Sequence, residues 1–177
     1  MHDWASTRER IAQMALELFS RSSYAGVTLR EVAEASGVSE AVVRHHFATK
    51  DALLAEVLQP FLDAMDEAID GATAREEAVG PLLRSYLAVL LDHRPAARVL
   101  WSDRAVRATA PGMRAAEQQR RIVSSLAGPR ADRERLIRIH SSLAILRLAA
   151  TELVAVDPRH LGGTLLQISC EAYAGSR

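Results

Sequence analysis

The sequence predicts an all-α chain of about nine helices, a three-helix N-terminal unit followed by a larger helical one. Three observations carry this. Apolar residues recur at helical spacing through nearly every segment, valine-rich alternating runs are missing, and the nine glycines and six prolines of the 177 residues gather at a few joints. No internal repeat or low-complexity tract interrupts the pattern.

Composition bounds the function. Hydrophobic residues make up 49% and charged ones 25%, which suits a soluble globular chain rather than a disordered one. The net charge is zero, so total charge gives no support to nucleic-acid binding; what basic character there is comes from arginine, Lys50 being the only lysine. One cysteine, Cys170, excludes an internal disulfide framework and fits a reducing cytoplasm, where it reads as a small buried hydrophobe. Met1 to Arg10 lacks the apolar stretch of a secretory leader, and no apolar run nears the roughly 20 residues of a membrane span. The reading is therefore cytoplasmic, with no membrane partner.

The first helix is expected from about Ser6 to Arg21, capped by Ser6 or Thr7 with Glu9 at capping-box spacing from Ser6, and striped by Ile11, Ala15, Leu18 and Phe19. After a turn at Gly26, Thr28 caps a short second helix with Glu31 three residues on, and Leu29, Val32 and Ala33 face inward. Gly37 closes it in the left-handed conformation and Ser39 caps a third, with Val38, Val43 and Phe47 as its anchors. Thr49 caps a fourth, apolar from Leu53 to Met65 and reaching about Ile69, which Pro60 should kink or divide and Gly71 should end. Thr73 with Glu76 starts another, interrupted at Gly80-Pro81 before the stretch from Leu82 to Leu91. Pro95 opens a short helix through Trp101, Pro111-Gly112 breaks the chain, and Gly128-Pro129 closes the polar segment Met113 to Leu126. The last two helices, about 132–156 and 158–174, are the most apolar: Leu136, Ile139, Leu143, Leu146, Ala150 and Leu153 on one, Leu161, Leu165, Ile168 and Ala172 on the other, with Leu166 and Tyr173 off that face. Helices apolar on more than one face need more than one neighbour, so this pair is expected to contact a second copy of the chain.

The stretch Gly37 to Phe47 has the register of a helix-turn-helix. Ala33 is the small residue that lets two helices cross closely, Gly37 follows four residues later, and Val32, Val38 and Val43 take the apolar positions. Arg44, His45 and His46 form a polar strip that cannot all face a core. This pattern points to a DNA reader over the alternative of an ordinary helical hairpin.

The N-terminal third resembles the TetR family of bacterial transcriptional regulators (TetR/AcrR type). The resemblance lies in Arg10-Ile11-Ala12 to Leu16-Glu17-Leu18-Phe19, Tyr24 to Ala33, Ala35 to Ser39, His46-Phe47 and Lys50 to Leu54. Beyond that the chain resembles the family in helix count and order alone. The resemblance implies a DNA-binding domain over 1–48 and a regulatory, dimerising domain over 49–177. It implies that Thr28 touches a phosphate, that Ser39, Glu40, Ala41 and Val42 enter the major groove, that His45 and His46 contact bases or backbone, and that Lys50 binds a phosphate at a helix start. Arg44 departs from the family, which usually has tyrosine there; it reads a guanine or grips a phosphate. Glu40 accepts from a cytosine or pairs with Arg44 one turn away. Arg30 is a phosphate contact or a solvated residue, and His46 a contact or a packing residue.

The resemblance further implies double-stranded DNA and a second copy as partners, and a cavity for a small-molecule effector. Phe61, Leu62, Met65, Tyr86, Leu90, Trp101, Met113 and His140 are the candidate lining, each of which also reads as core. Arg147 shares a face with His140 and Leu143 and suits an acidic ligand or an ion pair with Glu152 or Asp157. No nucleophile elbow, phosphate loop, dinucleotide fingerprint or metal cluster is present in the sequence, so the reading is a non-enzyme without cofactor. A repressor released by its effector is the leading function; a ligand-independent DNA-binding dimer and a helical interaction module stand beside it.

Overall fold

In the computed structural model, which describes residues 4–74, 79–128, 131–153 and 158–174, every regular element is helical. The helices are α1 (Trp4–Arg21), α2 (Leu29–Ser36), α3 (Glu40–His46), α4 (Lys50–Ala74), α5 (Val79–Asp92), α6 (Arg94–Ser102), α7 (Ala110–Ala127), α8 (Arg133–Thr151) and α9 (Pro158–Ala174), with a 3₁₀ turn over Arg104–Ala108. Among the described residues no helix is long and apolar enough to cross a membrane.

One core runs through the chain. Ile11, Ala15 and Phe19 of α1 meet Val32, Val43 and Phe47, and on α4 Leu53, Leu54, Leu58, Phe61, Leu62, Met65 and Ile69 are all buried. That α4 burial faces α1 near its start and α5, α6 and α7 further along. The helix is therefore shared by both halves of the chain.

Several expected boundaries move. Pro60 sits inside an unbroken α4: its missing amide falls on an exposed position, and Phe61 and Leu62 behind it are buried. The helix also runs through Gly71 and Thr73 to Ala74, so no new helix starts at Thr73; Glu76 lies outside the described residues. Gly80 and Pro81 belong to the first turn of α5. Pro111-Gly112 likewise opens α7, because Thr109 caps that helix by accepting from the Gly112 amide at 3.4 Å. The first helix begins at Trp4, ahead of both expected caps. Asp132 caps α8 through the Arg135 amide at 2.8 Å, and the helix ends at Thr151; Val154 to Asp157 lie outside the described residues.

Polar contacts tie the helices in ways the apolar pattern did not announce. Arg114 of α7 bridges Asp63 at 2.6 Å and Asp66 at 2.7 Å on α4, and Arg121 reaches Asp66 at 2.8 Å and also Asp70. Gln118 between them is buried and donates to the Leu62 carbonyl at 2.7 Å. Where α8 and α9 cross, Ser142 donates to the Ser169 carbonyl at 2.9 Å and Ser169 returns the bond to Ser142 at 3.1 Å, both side chains fully buried. Small residues with their hydrogen bonds satisfied let the two backbones approach closely.

Two glycines should respond to alanine with opposite signs. A Cβ on Gly112 would lie 2.1 Å from the Val106 carbonyl oxygen and 2.8 Å from the Arg107 Cα, so Gly112→Ala should cost about 1–3 kcal/mol as the backbones separate. A Cβ on Gly71, in the last turn of α4, meets nothing within 4 Å, so Gly71→Ala should stabilise by up to about 0.5–1 kcal/mol. Chemical denaturation of the two variants checks both signs.

Candidate nucleic-acid interface

The α2-turn-α3 unit is built by its caps. Thr28 accepts from the Glu31 amide at 3.2 Å, while the Glu31 carboxylate accepts from the Thr28 amide at 2.7 Å and its hydroxyl at 2.8 Å. These bonds, the backbone one foremost, hold the Glu31 carboxyl below its ordinary pKa. They also commit the Thr28 hydroxyl proton to Glu31. Gly37 at φ 66° closes α2, and the Val38 amide bonds back to the Ala33 carbonyl at 3.1 Å. Ser39 then caps α3 through the Val42 amide at 3.3 Å.

Alpha-3 is short and two-faced. Val43 and the following Phe47 are buried, and Val38 and Val42 pack at their edge. Ala41, Arg44 and His45 are exposed. Of the expected major-groove residues, Ser39 and Ala41 are exposed, whereas Glu40 and Val42 are half-buried. Arg44 is paired with Glu40 along the helix, Nε at 2.9 Å and a terminal nitrogen at 2.7 Å from the same oxygen. Arg30 is similarly bonded to Glu34 at 3.0 Å, with both side chains well exposed. The His45 and His46 rings meet edge to face at 5.6 Å between centres.

At the start of α4, Thr49 accepts from the Ala52 amide at 3.0 Å. Lys50 folds back over the α1–α2 turn, donating to the Ala25 carbonyl at 3.4 Å with its ammonium 4.4 Å from the Tyr24 ring centre. Burial lowers its pKa, against the pull of Asp103, Asp51 and Glu31. The Tyr24 hydroxyl bonds Asp51, and burial together with that carboxylate raises the phenol pKa far above its usual value.

Arg8 was not singled out from the sequence, yet it joins α1, α3 and α4. Its guanidinium pairs with Glu56 at 2.7 Å, donates to the His46 carbonyl at 2.9 Å, and lies 4.4 Å from the Phe47 ring centre. A hydrophilic residue early in α1 gave no sequence signal for contacts 38 and 48 residues away.

The candidate effector residues separate. Phe61, Leu62, Met65, Tyr86 and Leu90 are buried in the main core, Trp101 is half-buried, and Met113 and His140 lie on the surface. Phe61 packs edge-on to Trp101 at 5.5 Å. Burial raises the Tyr86 pKa to about 12, with Arg147 pulling it down. Arg147 makes no ion pair with Glu152; its guanidinium lies 5.7 Å from the Trp101 ring centre, and Asp157 is outside the described residues. Among the described residues no cluster of ligands suits a metal ion.

A family model described as bacterial regulatory proteins, tetR family, matches residues 11–57, from α1 into α4. Over this stretch the chain is similar to that family. It is 32% identical over 108 residues to the transcriptional repressor KstR2 of Mycolicibacterium smegmatis, covering 58% of this chain and 52% of that one. It is 28% identical over 160 residues to the transcriptional regulator RutR of Escherichia coli K12, covering 89% and 69%. The chain thus spans about half the length of the first of these relatives. In fold, the ketosteroid transcriptional regulator KstR2 of Mycobacterium tuberculosis superposes with a TM-score of 0.73 at 15% identity, covering 95% of this chain and 93% of that one.

The surroundings of His46 generate a pH prediction. Burial, then His45 and Arg8, lower its pKa in the folded chain. Around the ordinary histidine value of about 6.5 the unfolded chain therefore binds more protons than the folded one, and stability falls as pH drops through that range. His46→Gln should flatten this fall between about pH 7.5 and 5.5. Urea midpoints of both proteins across that range are the measurement.

Proposed function

We propose that the chain is a DNA-binding transcriptional repressor, with residues 1–48 as its reading unit and 49–177 as its regulatory and dimerising part. The carrying observation is α3: a helix capped by Ser39, pinned by Val43 and Phe47, with Arg44 and His45 left exposed at the end of a closed turn. Ser39, Glu40, Ala41 and Val42 form its leading end, which in this geometry enters a major groove; Arg44 follows them. Arg30, His46 and Lys50 border it and suit phosphate contacts, and Thr28 joins them once its hydroxyl turns from Glu31 to the DNA. Two such helices about 34 Å apart meet successive turns of a palindromic operator, which requires a second copy of the chain. Leu136, Ile137, Leu148 and Ile168 on the last two helices remain exposed in the single chain and support that dimer. The family whose model matches residues 11–57 supports a regulator rather than an enzyme, acting in the cytoplasm.

Release follows from coupling. An effector loosens DNA only by binding one spacing of the two reading heads better than another. Helix α4 supports such coupling, since Lys50 stands at its start and Phe61 packs on Trp101 further along. A shorter route runs through Asp103, which accepts from the Ala25 amide at 3.3 Å beside Lys50 while capping the 3₁₀ turn through the Ala105 amide at 2.8 Å.

Arg44→Ala should weaken operator binding without changing dimerisation. Loss of a guanine contact should appear as about 1–3 kcal/mol concentrated at one base pair, whereas a loss equal on all sequences marks a phosphate contact. Mobility shifts on a selected palindrome and its point variants separate the two, and binding without a steep salt dependence would sink the DNA reading. Ile137→Glu should yield monomers in light scattering; a dimer unchanged by it would place the interface elsewhere.

A further inference from the structure

We infer that the cavity between α6, the 3₁₀ turn, α7 and α8 binds a carboxylate ligand with a flat apolar body, the carboxylate held by Arg107 and Arg147 and the body laid against Trp101. The cavity has a volume of about 360 Å³, within the range of small-molecule sites, and its walls include Trp101, Arg107, Ala115, Ala116, Gln119 and Arg147. Two of these side chains are cationic and none is acidic.

What sets the pair apart is that both line one space that holds no carboxylate. Arg8, Arg30, Arg44, Arg114, Arg120, Arg121 and Arg138 are each paired with a carboxylate. Arg107 and Arg147 have no such partner among the described residues, although they line one space. Arg147 is half-buried; its Nε donates to the Leu143 carbonyl at 3.3 Å, which leaves its terminal nitrogens for another acceptor. Two guanidinium groups around one cavity repel each other, and a carboxylate between them relieves that repulsion while accepting their parallel N–H groups.

The surroundings add to this. The first turn of α7 contributes Gly112 to the wall, so the positive end of that helix dipole meets the cavity. Gly112 also admits the Val106–Arg107 backbone at a distance no side chain would allow, and so sets Arg107 at the rim. Trp101 offers a broad apolar surface, and Ala115 and Ala116 put only methyl groups on the wall. The site rests on the regulator reading only for its effect on DNA: Trp101 touches Phe61 of α4, and Asp103, two residues on, holds the α1–α2 turn.

The test titrates the full chain calorimetrically with benzoate, 2-naphthoate, the neutral 2-naphthamide and inorganic phosphate. The inference expects 2-naphthoate to bind, the amide to bind at least about tenfold more weakly, and phosphate to compete poorly. Arg107→Gln and Arg147→Gln should each weaken 2-naphthoate by about tenfold with thermal unfolding unchanged, Trp101→Leu should weaken it too, and Arg120→Gln on the outer face of α7 should not. If Arg147→Gln fails to fold, the exposed Arg107 carries the test alone. No binding of either aromatic carboxylate at millimolar concentration, equal binding of the amide, equal competition by phosphate, or indifference to Arg107→Gln overturns the inference. Operator binding is measured separately without probe. A chain that binds 2-naphthoate but no DNA retains the cavity site and loses the regulator reading, and the reverse pattern does the opposite.

Discussion

The burial of α4 on both sides is the constraint from which the architecture follows. Its apolar residues wind around more than one face, so no single neighbour can cover them. The α1–α3 unit covers one end and the α5–α7 layer the rest. Neither half closes its core without this helix, which makes any displacement along it felt at both ends.

Ion pairs then fix how α4 meets its partners. Arg114 and Arg121 set the register of α7 against three aspartates, with Gln118 satisfying a backbone carbonyl between them. At the other end Arg8 connects Glu56 to the last carbonyl of α3. Each pair is partly solvated and individually worth little, since exposed ion pairs contribute about 0–1 kcal/mol. Their value is geometric: they choose one sliding position among the several that apolar packing tolerates.

What was legible in the sequence was local. Thr28 with Glu31, Gly37 and Ser39 announce caps and a turn because each acts within a few residues, and all behave as read. Apolar spacing correctly assigned Phe61, Leu62 and Met65 to the interior. Proline and glycine misled where tertiary packing overrode them, as at Pro60 and Gly71, or where they opened a helix, as at Pro111-Gly112. Contacts set by topology left no local trace: Arg8 with His46, Asp103 with Ala25, Ser142 with Ser169. For the same reason the sequence offered Met113 and His140 as cavity walls, although helix rotation points them outward.

The Glu40–Arg44 pair has a consequence for the search along a genome. With its one arginine already neutralised, α3 offers little net charge to an arbitrary phosphate backbone. Under the proposed function, a stray phosphate contact by Arg44 would have to open the pair first, which offsets part of what that contact returns. A base edge that engages both the freed guanidinium and the freed carboxylate would hold it longer, so the intrahelical pair would tilt residence time toward sites that use both groups.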